Sequence, residues 1–151
     1  MSTRRSRRAQ RASCCTAPPG TGKTMLARAI AKASAANFIA VTAADIESKW
    51  YGEMQTRIDA LFAHATSRAP CIIFIDEIDG LLPVRNPLDT HRSALVAHFL
   101  QAWEGLVSRR SQSAAASWVI IIGATNKRAN IDPAALRRMV SVRGGWGRVG
   151  W

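Results

Sequence analysis

Apolar and polar positions change period several times along this chain, and each change marks an element. From Lys23 to about Ala36 (KTMLARAIAKASAA) alanine dominates and the apolar residues share one face, which predicts a helix. FIAV at 38–41 reads as a short strand. Asp45 stands where it can cap a turn leading into SKWYGE. Between Glu53 and Arg68, Met54, Ile58, Leu61, Phe62 and Ala65 recur at helical spacing, and Pro70 stops the run. CIIFID at 71–76 is apolar on both faces, as a buried parallel strand is, and SWVIIIG at 117–123 repeats the pattern. Residues 91–106 put Leu95, Phe99, Leu100, Trp103 and Leu106 on one helical face. Asp132-Pro133 starts a further helix, with Asp as cap and Pro in the first turn. Strands alternating with helices predict an α/β sandwich around a parallel sheet.

Composition narrows this picture without redirecting it. A chain of 151 residues with 48% hydrophobic and 21% charged residues suits one globular domain with a true core. No apolar run nears the roughly 18 residues of a membrane helix, so a soluble chain is expected, and the sparse cysteines make a reducing, intracellular setting the default. Cys14, Cys15 and Cys71 are too few and badly spaced for a disulfide framework or a zinc site. The net charge of +11 suggests a nucleic-acid partner until its distribution is read. Residues 1–16 carry +5, residues 137–151 carry +4, and the stretch between carries only +2. Basic ends bind nucleic acid non-specifically, so no specific nucleic-acid partner is expected. The Arg- and Ser-rich N-terminus has the composition of a transit peptide but no amphipathic face, and a solvated arm is the plainer reading.

Three motifs carry the chemistry. APPGTGKT, Ala17 to Thr24, fits the phosphate-loop pattern G-x-x-x-x-G-K-[ST] except that Ala17 replaces the first glycine. Gly20 and Gly22 let the backbone curl so that several N–H groups point inward at one anion, and the following helix adds the positive end of its dipole. Lys23 suits the β- and γ-phosphates of ATP, and the Thr24 hydroxyl suits Mg²⁺. IIFIDE at 72–77 ends a buried strand in two carboxylates, at the end where parallel sheets bind ligands. Asp76 can reach the magnesium through its water shell, and Glu77 can polarise a water for attack on the γ-phosphate. GATN at 123–126 ends the next buried strand with Asn126, whose amide suits the γ-phosphate or that water.

In this order PPGTGKT, KWYGE, IIFIDEID, GATN and IDPAALRRM resemble the AAA family of ring-forming ATPases, from about Pro18 to Met139. The resemblance implies a three-layer α/β/α P-loop NTPase fold. It implies ATP and Mg²⁺ contacts at Pro19, Gly20, Thr21, Gly22, Lys23, Thr24 and Asp76, with Thr24 and Asp76 on the metal. It makes Glu77 the catalytic acid and Asn126 the γ-phosphate sensor. Arg137 and Arg138 become arginine fingers reaching the neighbouring subunit's nucleotide. Lys49, Trp50, Tyr51 and Gly52 become a pore loop gripping an unfolded protein substrate, the alternative for Trp50 and Tyr51 being core packing. SKWYGE, FLQAWEGL and LRRM look most like the membrane-anchored members that pull mislocalised tail-anchored proteins from the outer mitochondrial membrane. Severing ATPases of the spastin and katanin type are the nearest alternative. A homo-oligomeric, hexameric ring is implied for the full-length parent.

The ends depart from that pattern. The lead-in RASCCTA lacks the apolar strand the family runs into its loop, and VSVRGGWGRVGW replaces a strand and a helical lid. The expectation is therefore an incomplete fold, without the first and last strands and the lid. It comprises a disordered basic arm over 1–16, a partial core over 17–139 and a Gly/Arg/Trp-rich tail over 140–151, as in a truncated form of a longer ATPase. A non-catalytic fragment with at most nucleotide binding is the second functional reading.

Overall fold

The computed structural model describes residues 12–16, 22–109 and 118–143. Five strands form one parallel sheet in the order β2-β3-β4-β1-β5. They are β1 (Ala12–Thr16), β2 (Asn37–Thr42), β3 (Cys71–Asp76), β4 (Val119–Thr125) and β5 (Met139–Arg143). Parallel neighbours need long crossovers, and helices supply them. α1 (Lys23–Ala33) joins β1 to β2, α2 (Ala43–Ile46) and α3 (Tyr51–Ser67) join β2 to β3, α4 (Ile78–Leu81) and α5 (Thr90–Arg109) precede β4, and α6 (Pro133–Arg138) precedes β5.

Alternation along the central strands builds the three layers. Ile72, Phe74, Ile122 and Ala124 face α1, which meets them through Ala27 and Ala31. Two alanines one turn apart let that helix lie close to the sheet. Ile73, Ile75 and Ile121 face the other way, onto Ile58, Phe62 and Ala65 of α3 and Leu95, Val96, Phe99 and Trp103 of α5. Phe62 and Phe99 meet at 5.3 Å between ring centres, knitting the two long helices together. The helical faces expected for α3 and α5 are the ones that pack.

The expected loss of the first and last strands is overturned. β1 is central, pairing with β4 (Ser13 opposite Ile122 to Thr16 opposite Thr125) and with β5 (Ala12 opposite Met139 to Thr16 opposite Arg143). ASCCT carries no large apolar residue, but a strand flanked on both sides satisfies its backbone groups through its neighbours, and cysteine behaves as a small hydrophobe. MVSVR forms β5 at the sheet edge with the β-branched alternation that suits a strand. The arm expected over 1–16 thus overlaps β1 and the tail over 140–151 overlaps β5. Residues 1–11 and 144–151 of those expectations lie outside the described residues.

Smaller differences have local causes. α1 stops at Ala33, short of Ala36, because Ala35 takes a left-handed φ of 51° to turn the chain into β2. Asp45 does not cap a following turn. Thr42 caps α2 by accepting the Asp45 N–H, and the Asp45 carboxylate accepts the Thr42 N–H in return, at 2.7 Å.

Candidate nucleotide site

Gly22 is the N-cap of α1, at a left-handed φ of 74° that glycine takes without strain. Gly22 brings no capping side chain of its own, and the first turn of this 11-residue helix holds no acid. The first N–H groups of the helix carry the positive end of its dipole. Lys23 and Thr24 open the helix, half-buried. Ala17, Pro19, Gly20 and Thr21 lie outside the described residues.

Asp76 closes β3 opposite Thr42, half-buried, with its Oδ1 accepting the Glu77 N–H at 2.9 Å. Glu77 is exposed and holds φ 53°, ψ 40°, a left-handed conformation unusual outside glycine. It is the N-cap of the single-turn α4, whose Ile78 and Leu81 are fully buried. Strained backbone of this kind persists where the surrounding structure over-determines it.

Asn126 stands exposed, one residue past the end of β4. β4 lies between β3 and β1, and Thr125 pairs with Thr16, the last residue of β1. Asp76 at the end of β3, Asn126 just past β4 and Thr16 at the end of β1 therefore stand at one edge of the sheet, on three adjacent strands. Parallel sheets bind ligands outside this carboxyl edge.

The donors fit a magnesium nucleotide. A threonine hydroxyl and a carboxylate are hard oxygen ligands, and Mg²⁺ takes one or two of these with phosphates and waters. Among the described residues no three His, Cys, Asp or Glu side chains cluster as an all-protein metal cage would require.

The remaining candidates lie elsewhere on the chain. Arg138 binds Glu104 of α5, its Nε at 2.9 Å from Oε1, and its Nη1 donates to Ala134 O at 3.1 Å. Arg137 donates to Pro133 O at 3.3 Å. Both are exposed on the last turn of α6. Trp50 is 76% exposed, which sets aside core packing for it. Tyr51 and Gly52 are not loop residues as expected: they form the first turn of α3, with Trp50 as its N-cap. The base of this corner is tied by Arg57, which donates to Glu47 O at 2.8 Å and to the Glu53 carboxylate at 2.7 Å. The Ser48 hydroxyl, and after it Arg57, hold the Glu53 carboxyl below its usual range. A cleft of about 380 Å³, lined by Lys49, Met54, Leu81, Pro83, Arg92 and Leu95 among others, opens beneath.

Sequence reasoning missed the polar links between these parts. Thr125 is 2% exposed, donates to Asp79 Oδ1 at 2.6 Å and accepts the Lys127 N–H at 2.9 Å. Asp132, also buried, binds Arg85 at 3.0 Å. The third acid of IIFIDEID and the threonine of GATN were visible signals. Their pairing across 46 positions was not.

Comparison with known proteins agrees with this geometry. Residues 13–144 match the model of the ATPase family associated with various cellular activities (AAA). The match begins within β1 and ends past Met139, beyond both limits of the resemblance read from the motifs. An outer mitochondrial transmembrane helix translocase of Danio rerio is 44% identical over 123 residues, covering 81% of this chain and 31% of the relative. A mitochondrial sorting homolog of Caenorhabditis elegans is 42% identical, covering 82% and 35%. A cell division cycle protein 48 homolog of Archaeoglobus fulgidus is 43% identical, covering 80% and 16%. The chain spans about a third of the length of the two mitochondrial relatives.

Proposed function

The chain belongs to the AAA family of ATPases, and on that premise we propose that it binds Mg-ATP at the carboxyl edge of its sheet and hydrolyses it. The observation that supports this reading is the adjacency of β3, β4 and β1: β3 ends at Asp76 and leads to Glu77, β4 leads to Asn126, and β1 precedes the helix that Lys23 and Thr24 open. Gly22, Lys23 and Thr24, with Pro19, Gly20 and Thr21 before them, would hold the phosphates. Thr24 and Asp76 would hold the magnesium, which when bound neutralises charge on the phosphate oxygens. Glu77 would orient a water and accept its proton as the water oxygen bonds to the γ-phosphorus. The bond from that phosphorus to the β–γ bridging oxygen breaks, giving ADP and phosphate. Asn126 would hydrogen-bond the γ-phosphate.

We place this core in a closed ring of identical subunits, whose contacts are heterologous. Arg137 and Arg138 would reach across to the neighbour's nucleotide, Arg138 exchanging Glu104 for phosphate. The exposed Trp50 and its neighbours Lys49, Tyr51 and Gly52 would face the pore and grip protein by area, without reading sequence. The name of the Danio rerio relative, an outer mitochondrial transmembrane helix translocase, supports ATP-driven extraction of membrane proteins as the activity this core serves. No helix among the described residues is long and apolar enough to cross a membrane.

The test is ATP turnover by the purified chain beside Glu77→Gln and Lys23→Ala. Turnover lost in both, with ATP affinity lost only in Lys23→Ala, is the expected result. Turnover that survives Glu77→Gln would refute the assignment of the acid.

A further inference from the structure

We infer that Thr125 and Asp79 are positioning residues for nucleotide hydrolysis, one buried hydroxyl orienting both Glu77 and Asn126. This rests on the nucleotide reading of the site and adds to it two residues that the motifs did not assign.

The argument starts from what each part needs. α4 has four residues, too few to hold a helix by its own hydrogen bonds. Its N-cap, Glu77, sits in a left-handed conformation that only outside support maintains. Ile78 and Leu81 supply apolar support. The polar link is Asp79, whose Oδ1 accepts from Thr125 Oγ1 at 2.6 Å. On the other side the same hydroxyl accepts the Lys127 N–H at 2.9 Å. That second bond spans Asn126, so the backbone carrying the amide is clamped at both ends. The hydroxyl is almost wholly shut off from water, so neither bond is replaced by solvent. Thr125 is itself fixed by its pairing with Thr16 at the start of the phosphate loop. The water-activating carboxylate, the γ-phosphate amide and the phosphate loop thus share one anchor. A staple with a purely structural role would change stability alone, whereas a positioning role changes kcat with ATP affinity held.

The experiment compares Thr125→Ser, Thr125→Val, Asp79→Ala and the Thr125→Val/Asp79→Ala double variant in the full chain. It measures kcat and KM for ATP, affinities for fluorescent mant-ATP and mant-ADP, and a thermal melt. Thr125→Val and Asp79→Ala are each expected to lower kcat about ten-fold or more, since small misplacements at a reacting centre are costly. ATP affinity should stay within about three-fold. Thr125→Ser, which keeps the hydroxyl, should retain kcat. The double variant should be no worse than either single, because each already breaks the same link. Additive losses, a Thr125→Ser as impaired as Thr125→Val, or a change in KM alone would overturn the assignment. Should Thr125→Val fail to melt cooperatively, Asp79→Ala decides by the same criterion. If the unmodified chain binds ATP without turning it over, the ratio of mant-ATP to mant-ADP affinity decides. A ratio collapsed by Thr125→Val and kept by Thr125→Ser supports the role, and an unchanged ratio overturns it. A chain that neither binds nor hydrolyses ATP sinks the nucleotide reading and this inference with it. Glu77-dependent turnover unaffected by Thr125→Val sinks only the inference.

Discussion

Asp132 and Arg85 form an ion pair at 3.0 Å in which the carboxylate is enclosed and the guanidinium half-exposed. Asp132 also caps α6, accepting the N–H groups of Ala134 at 2.8 Å and Ala135 at 3.3 Å, and its own N–H donates to Leu82 O at 2.9 Å. Val84 donates to Asn130 O at 2.9 Å, and Pro83 bridges Ile131. The stretch that follows the Glu77 helix is therefore strapped to the stretch that precedes the Arg137–Arg138 helix. Asp132→Ala should lower the unfolding free energy by about 2 kcal/mol, the cap and a buried polar contact being lost together. Asp132→Asn, which keeps an acceptor for the cap, should cost about half as much. Urea denaturation of both variants measures the difference, and equal losses would mean that the ion pair dominates.

Nucleotide binding should be visible as stabilisation. Mg-ATP at 100 times its Kd is expected to add about 2.7 kcal/mol, a rise of several degrees in Tm. Lys23→Ala should abolish the shift, and Glu77→Gln should keep it while losing turnover. A shift that persists in Lys23→Ala would move the site away from the N-terminus of α1.

Gly123 is a packing constraint behind the carboxyl edge of the sheet. A Cβ there would stand 2.6 Å from Ile78 Cδ1 and 3.1 Å from its Cγ2, and Ile78 is fully buried beside Glu77. Gly123→Ala should destabilise by about 1–3 kcal/mol through overpacking. Adding Ile78→Val, which removes Cδ1, should recover part of the loss in a thermal melt.

The α2 cap makes stability depend on pH at the acid end. The Thr42 N–H, and after it the Thr42 hydroxyl, lower the Asp45 carboxyl below its ordinary 3.8. A depressed folded value means that the contribution is complete above the ordinary value and vanishes as pH falls through the folded one. The difference in stability between the unmodified chain and Asp45→Asn should therefore be constant from neutral pH to about pH 5 and shrink below 3.8. Denaturation curves at stepped pH read this directly. A difference that grows on acidification would contradict the cap.

Two tryptophans should behave oppositely. Trp50→Ala removes an exposed side chain and should change stability by no more than about 0.5 kcal/mol. Trp103→Ala opens a hole beside Phe99 in the α5 core and should cost about 3–5 kcal/mol. If Trp50→Ala proves as costly as Trp103→Ala, Trp50 belongs to the core and cannot serve as a pore contact.

Much of this was legible because its signals are local. The runs at 71–76 and 117–123, the faces of α3 and α5 and the Asp132 cap are periodicities or adjacent pairs. The candidate chemistry at Lys23, Thr24, Asp76, Glu77 and Asn126 followed from motifs a few residues long. β1 was misread because ASCCT has neither length nor bulk, and its strand character comes from β4 and β5 on either side. Thr125 and Asp79 were passed over because each looks ordinary where it stands.

By itself, then, the chain's pattern determined the α/β class, the helix faces that face inward, and the residue types able to cradle phosphate and activate water. These depend on side-chain period and on the bonding capacity of single groups, both written in order along the chain. Only the tertiary structure decided that β1 and β5 complete the sheet, that Arg138 rests on Glu104, and that one buried hydroxyl joins Asp79 to the Asn126 turn. Those are pairings between distant positions, selected because a buried donor or a bare strand edge must find its partner wherever folding brings one.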